Sequence, residues 1–186
     1  MTTAEPLARY EDLIGLPDNV VGEIIAAQLY VHPCPAPAYA RAGSVLGNKV
    51  VTPFDQGEGG GPGGWWILDE PELPLSEDIF VRTSPAGVGE RMPALPKTAW
   101  FEMSPNWVCE VLSPATARTD RVLKVPRYAA AGVADCWLID PDARTLEAYA
   151  NQDGRWLLLG TWGGDDVASI DPFAAISLSL SSLWLD

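Results

Sequence analysis

Glu110 stands inside an apolar run. Trp107, Val108 and Cys109 precede it, and Val111 and Leu112 follow, so a carboxylate sits where the interior of a sheet is expected. Further on, Asp120, Lys124 and Tyr128 recur at intervals of four and would share one face of a helix. A strand–helix–strand unit packs its helix back on the sheet. A carboxylate, an ammonium and a phenol would then meet at one edge of the sheet, with Ser113 between them. These groups suit metal-assisted phosphodiester hydrolysis. Mg²⁺ takes one or two carboxylates together with water and phosphate oxygens. The metal makes a bound water acidic, and a lysine beside it stabilises developing charge or orients that water. The same spacing also serves a plainer role. Asp120 and Lys124 could be a surface pair worth a few tenths of a kcal/mol, with Glu110 satisfied by a neighbouring arginine. Spacing by itself favours the plainer role.

The surrounding patterns supply the elements. Residues 21–32 read as a hairpin turning at Ala26-Ala27. A tight turn there needs positive φ, which costs alanine roughly 1 kcal/mol, so a longer or wider turn is expected. Ala38, Ala42, Val45, Leu46 and Val50 recur at helical spacing, which predicts a helix over residues 37–51. The glycine-rich stretch 55–64 is a loop, and it lacks the Gly-Lys-Ser/Thr ending of a phosphate loop. "WWILDEPELPL" and "EDIFVRT" read as two strands, followed by a proline-punctuated loop over residues 84–98. Residues 106–112 form the next strand. A helix starts near Ala117, capped by Thr116 or Thr119, and Pro126 should kink or restart it. "ADCWLIDP" is an interior strand, and a hairpin turning at 152–154 leads into two more short strands. The expected fold class is α/β (α+β), a mixed sheet flanked by helices with an antiparallel C-terminal meander.

Composition narrows the function classes. The 186 residues fit one domain with a sizeable core. No apolar run reaches the ~20 residues of a membrane helix, and the N-terminus lacks the pattern of a signal peptide, so a cytoplasmic protein without membrane contact is expected. Cys34, Cys109 and Cys136 are too scattered for a disulfide framework and read as reduced, buried thiols. His32 is the only histidine, which makes structural zinc improbable. The net charge of −13 repels phosphate backbones on average. Arg118, Arg121, Lys124 and Arg127 against Asp120 reverse that sign locally, either as a nucleic-acid contact or as an ordinary solvated face. The eight tryptophans could act as stacking platforms for a carbohydrate, but most lie in apolar strand patterns and read as core.

The segment "EVLSPATARTDRVLKVPRYAAAGVADCWLIDP" resembles the signature of the Uma-type restriction endonuclease family, within the PD-(D/E)xK nucleases. "YEDLIGLPDNVVGEIIAAQLYVHPCPAP" resembles that family's N-terminal hairpin, and "GGWWILDEPEL" and "ERMPALP" resemble its middle, so the resemblance spans about residues 10–184. It implies one restriction-endonuclease-like domain, Mg²⁺ as cofactor and DNA as substrate. Glu110 matches the second acidic metal ligand. The superfamily lysine would fall at Leu112, and Lys124 on the helix matches the relocated lysine, with Asp120 one turn before it. Ser113 matches a motif serine, and Glu23 an acid of the hairpin that assists the metal or the water.

One departure bears on the chemistry. The family's first acid ends a strand in a Pro-Asp pair, and here Arg82 and Thr83 stand at those positions. Tyr39 stands for a histidine often seen in the first helix, and Ala27 for the expected turn glycine. A neutral hydroxyl at the first metal-ligand position would leave Mg²⁺ weakly held. Asp78 lies an odd number of residues from Thr83 and so points to the opposite face of an unbulged strand. Arg82 at the rim is expected to bind a phosphate, together with Arg118, Arg121 and Arg127. Two functions follow: a metal-dependent DNA endonuclease with impaired catalysis, or a catalytically inactive nuclease-fold homologue acting as a binding or regulatory module, with a homodimer as one form.

Overall fold

The computed structural model describes residues 7–89 and 103–185. A short helix α1 (Tyr10–Ile14) leads into an antiparallel sheet of four strands in the order β2-β1-β5-β4. These are β1 (Val20–Ile25), β2 (Gln28–Pro33), β4 (Glu72–Ser76) and β5 (Ile79–Arg82). A second sheet of six runs β10-β9-β8-β7-β6-β3. Its members are β3 (Trp66–Asp69), β6 (Pro85–Val88), β7 (Trp107–Val111), β8 (Asp135–Asp140), β9 (Thr145–Gln152) and β10 (Arg155–Gly163). Among the described residues only β7 and β8 pair in parallel, joined by the expected helical crossover, so the sheet is mixed. A two-stranded ribbon of β11 (Val167–Ala168) and β12 (Leu178–Ser179) follows.

The strand β7 explains its own sequence. Alternate residues face opposite sides, and both sides are covered. Trp107 and Cys109 join a core with Leu46, Phe54, Trp137 and Phe173, where α2 (Pro37–Val50) and the C-terminal segment pack. The Trp107 and Trp137 rings meet edge-on at 5.3 Å, and Phe173 lies 4.8 Å from Trp107. Val108 and Leu112 join the opposite core, with Val81, Tyr128, Cys136 and Leu138. Glu110 shares their parity, so the strand aims it at the crossover helix.

That helix is a composite. An α-helical turn α3 (Ala117–Thr119) passes into a π-helical turn (Asp120–Lys124) and then α4 (Val125–Ala130). The amide of Val125 donates to the carbonyl of Asp120, five residues back. Pro126 has no N–H to give and its ring would crowd a regular turn, so the widened turn is the local answer to that proline. The same pairing recurs after α2, where a π-helical turn (Val51–Asp55) contains Pro53. Thr116 is the N-cap residue, but its side chain does not cap the helix; its hydroxyl and that of Ser113 exchange contacts instead.

Several expectations need correction. The Ala26-Ala27 turn is tight, with φ of 53° and 55°. The Ala27 amide donates to Asp78 O at 3.0 Å, and its carbonyl accepts from the Ala8 amide at 2.8 Å. Neighbouring segments thus hold the strained turn. "WWILDEPELPL" is two strands, broken at Glu70 (φ 45°) and assigned to different sheets. The loop expected from residue 84 contains the fully buried strand β6, whose small and apolar residues pair with both β3 and β7. The remainder of that loop and the "ERMPALP" motif lie outside the described residues. Cys34 is exposed, whereas Cys109 and Cys136 are buried free thiols. Among the described residues no helix is long and apolar enough to cross a membrane.

Candidate active site

The chain passes from the four-stranded sheet to the six-stranded one within two residues, Thr83 and Ser84, between β5 and β6. The candidate site lies at this junction, and each neighbouring element contributes to it. Glu23 comes from β1, Glu110 from β7, and Asp120 and Lys124 from the π-helical turn; all four are buried. The Lys124 ammonium has four oxygens within reach. Its Nζ donates to the Arg82 carbonyl at 2.6 Å, lies 2.9 Å from both Glu23 Oε1 and Glu110 Oε1, and 3.3 Å from Asp120 Oδ1. Tyr128, one turn beyond, donates to Glu110 Oε1 at 2.5 Å. The Arg82 amide donates to Glu23 Oε1 at 3.0 Å. A cavity of about 80 Å³ adjoins the cluster, room for several waters. Its lining includes Glu23, His32, Thr83, Glu110, Ser113 and Lys124.

The plainer alternative is therefore overturned. Asp120 and Lys124 are not a surface pair, and Glu110 is met by Lys124 and Tyr128 rather than by an arginine. Burial pushes the Glu110 carboxyl up and Lys124 pulls it down; Asp120 and Glu23 then push it further, to about 8. Burial also pushes Glu23 up, but Lys124, His32 and the Arg82 amide outweigh it and hold Glu23 at about 2. Two carboxylates of one cluster are thus pushed in opposite directions, Glu110 up and Glu23 down. Burial disfavours the charged form of Lys124, yet Glu110, Tyr128, Glu23 and Asp120 together keep its pKa well above the usual lysine value.

Thr83 is buried in the wall of the same cavity, so positions 83, 110 and 124 do converge. Its hydroxyl donates to the Cys109 carbonyl at 2.6 Å, which ties the inter-sheet crossing to β7 and offers no anion. Asp78 lies in the turn before β5, exposed and accepting from Ser76 Oγ at 2.6 Å. Ser113 is half-buried and lines the cavity.

The arginines differ from expectation. Arg82 is an exposed cross-strand partner of Glu72 at 2.8 Å, and it serves the site through its backbone amide and carbonyl. Arg121 is held by both oxygens of Glu147 at 2.9 Å. Arg127 donates to the Leu123 carbonyl of its own helix at 2.7 Å. With Lys124 buried, the counted patch of four cations reduces to Arg118, which is exposed, and the remaining capacity of Arg127.

Sequence reasoning missed two neighbours. His32 Nε2 lies 3.6 Å from Glu23 Oε2, and this contact raises the imidazole pKa above its ordinary value. The signal was present: a two-residue turn at 26–27 pairs Val21 with His32 and places His32 diagonally from Glu23. Ser84 Oγ accepts from the Val111 amide at 3.3 Å and lines the cavity. No sequence pattern marked it, because β6 itself was not anticipated.

Whether these residues suit a divalent cation is decided by the donor set. Lys124 already engages one oxygen from each of Glu23, Glu110 and Asp120, and the fourth position is a threonine engaged elsewhere. Among the described residues no group of three or more His, Cys, Asp or Glu side chains is arranged to hold a metal ion. The site as built fits a divalent cation poorly.

A mixed sheet with a strand–helix–strand crossover, carrying acids and a lysine at its edge, defines a nuclease-like α/β fold. The profile of a family described as Uma2, "Putative restriction endonuclease", matches residues 78–181, more than half of the sequence. The chain belongs to that family. The fold is also similar to a crystal structure from Anabaena variabilis ATCC 29413, described as "a putative nuclease belonging to DUF820". That similarity has a TM-score of 0.72 and covers 93 % of this chain and 95 % of the other at 19 % identity. No curated protein matches the sequence.

Proposed function

We propose that one restriction-endonuclease-like unit, spanning about residues 10–184, carries the pocket of a DNA endonuclease in a form whose phosphodiester hydrolysis is impaired. The observation that carries this reading is Thr83. At the junction of the two sheets, beside Glu110 and Lys124, a hydroxyl committed to a backbone carbonyl stands where a second anion would be needed. In this reading Mg²⁺ is the intended ion and is weakly held. Glu110 and Glu23 are the site's acids, Lys124 and Asp120 the charged pair of the helix, Ser113 a polar wall, and Arg118 and Arg127 the contacts left for a phosphate backbone. The three unpaired cysteines favour a reducing, cytosolic setting.

A second reading, a binding or regulatory module without cleavage, draws support from a cluster whose charge is met internally by Lys124. For that module we propose a homodimer, because the edge strand β10 exposes Leu157, Leu158 and Leu159 side by side. Plasmid nicking with Mg²⁺ or Mn²⁺ separates the two. Slow cutting that disappears in Glu110→Ala supports the impaired enzyme. No cutting with either ion leaves the module. Rapid cutting by the native chain contradicts both.

A further inference from the structure

The Lys124 ammonium is ringed by four oxygens. Its four oxygen neighbours come from four segments: Glu23 from β1, the Arg82 carbonyl from the end of β5, Glu110 from β7 and Asp120 from the π-helical turn. Three carboxylates and one carbonyl make up a donor set typical of hard cations. The ammonium is itself about as buried as its partners, at 3 % exposure, and lies at the seam where both sheets and the crossover helix meet. Removing one partner from a buried ionic cluster ordinarily leaves uncompensated charge. Here removal of the lysine would leave three carboxylates facing a cavity with room for water.

We propose that Lys124 is a tethered replacement for a divalent cation: it supplies the cluster's positive charge, joins the two sheets without metal, and competes with metal for the same oxygens. Truncating its side chain converts the cluster into a site for a hard divalent ion held by Glu23, Glu110 and Asp120. Metal–oxygen bonds are shorter than ammonium contacts, so such an ion would draw on these oxygens together with cavity water. The inference concerns what holds the cluster's charge. It stands on cation uptake alone, whether or not the chain cuts DNA.

The test is Mn²⁺ binding, followed by the paramagnetic resonance signal of the free ion. The native chain, Lys124→Ala, and Lys124→Ala combined with Glu23→Gln are compared. The native chain should show only weak binding. Lys124→Ala should bind one ion about tenfold tighter or better, and the added Glu23→Gln should reduce that gain. Thermal melts report the same event, because Mn²⁺ should raise the midpoint of Lys124→Ala and leave the native midpoint in place. Lys124→Ala with Glu110→Gln removes one charge of each sign and guards against a chain that fails to fold. It should take up Mn²⁺ through the two remaining carboxylates. Native binding as tight as that of Lys124→Ala overturns the proposal, as does a folded variant without uptake. Failure of both variants to fold even in millimolar Mn²⁺ overturns it too.

Discussion

At the scale of the residue, the site is governed by how one buried ammonium is shared. Glu23 draws on Lys124, His32 and the Arg82 amide and is held at about 2; Glu110, buried and flanked by Asp120 and Glu23, is raised to about 8. The linkage follows from these directions. A carboxyl raised in the folded state contributes stability below its unfolded value of about 4.3 and loses it as pH climbs through the folded value. A depressed carboxyl contributes above its unfolded value and loses that contribution as pH falls toward the folded one. Glu110 therefore weakens the fold from about pH 4.5 toward about 8, and Glu23 weakens it on acidification from about 4.5 toward about 2. His32, raised by Glu23, acts in the same sense as Glu110 on its alkaline side. Thermal midpoints should peak in mildly acid solution. Glu110→Gln, which cannot ionise, should flatten the decline between pH 5 and 8. Parallel native and mutant curves would show that Glu110 titrates normally. Thr83→Val tests the other anchor: losing the bond to the Cys109 carbonyl should cost about 1–3 kcal/mol, measurable by urea unfolding.

Local geometry at the scale of the element follows from a few residue choices. The Ala26-Ala27 turn carries left-handed backbone without glycine. Ala27→Gly should therefore stabilise the fold by roughly 0.5–1 kcal/mol, since glycine adopts positive φ without steric cost. A neutral or destabilising result would show that the alanine turn carries no such strain, since glycine keeps both backbone bonds. Leu46, buried on α2 in the larger core, should lose about 2–5 kcal/mol on truncation to alanine.

These elements also show what a sequence discloses. The helix 37–51, strand β7, the interior strand β8 and the Asp153-Gly154 hairpin were legible because each has a clean period or strong turn residues. Strand β6 was not, because "PAGV" is short, small and introduced by a proline. The tight alanine turn was not, because its support comes from segments distant in sequence. For the site, a carboxylate inside an apolar strand, followed by Asp120 and Lys124 on a helix packing back on the sheet, disclosed the cluster, and Pro126 disclosed a break in the helix. The partners of Arg82 and Arg121 were hidden. A cross-strand Glu72 and a strand-borne Glu147 are visible only once the sheets are assembled.

For the molecule as a whole, charge limits what the fold can do. Net charge is −13, and among the described residues few unengaged cations lie near the pocket to hold a phosphate backbone. If it binds DNA through Arg118 and Arg127, about two phosphates are neutralised, and affinity should fall with salt with a logarithmic slope of roughly −2. A much steeper slope would locate a basic surface elsewhere. The two sheets set the pocket's position at their junction, while activity depends on the groups placed there. The most direct measurement is Mg²⁺ titration calorimetry of the native chain beside Thr83→Asp. The account predicts weak binding by the native chain and a clear gain in affinity once a carboxylate stands at position 83. Tight Mg²⁺ binding by the native chain, or no change on the substitution, would contradict it.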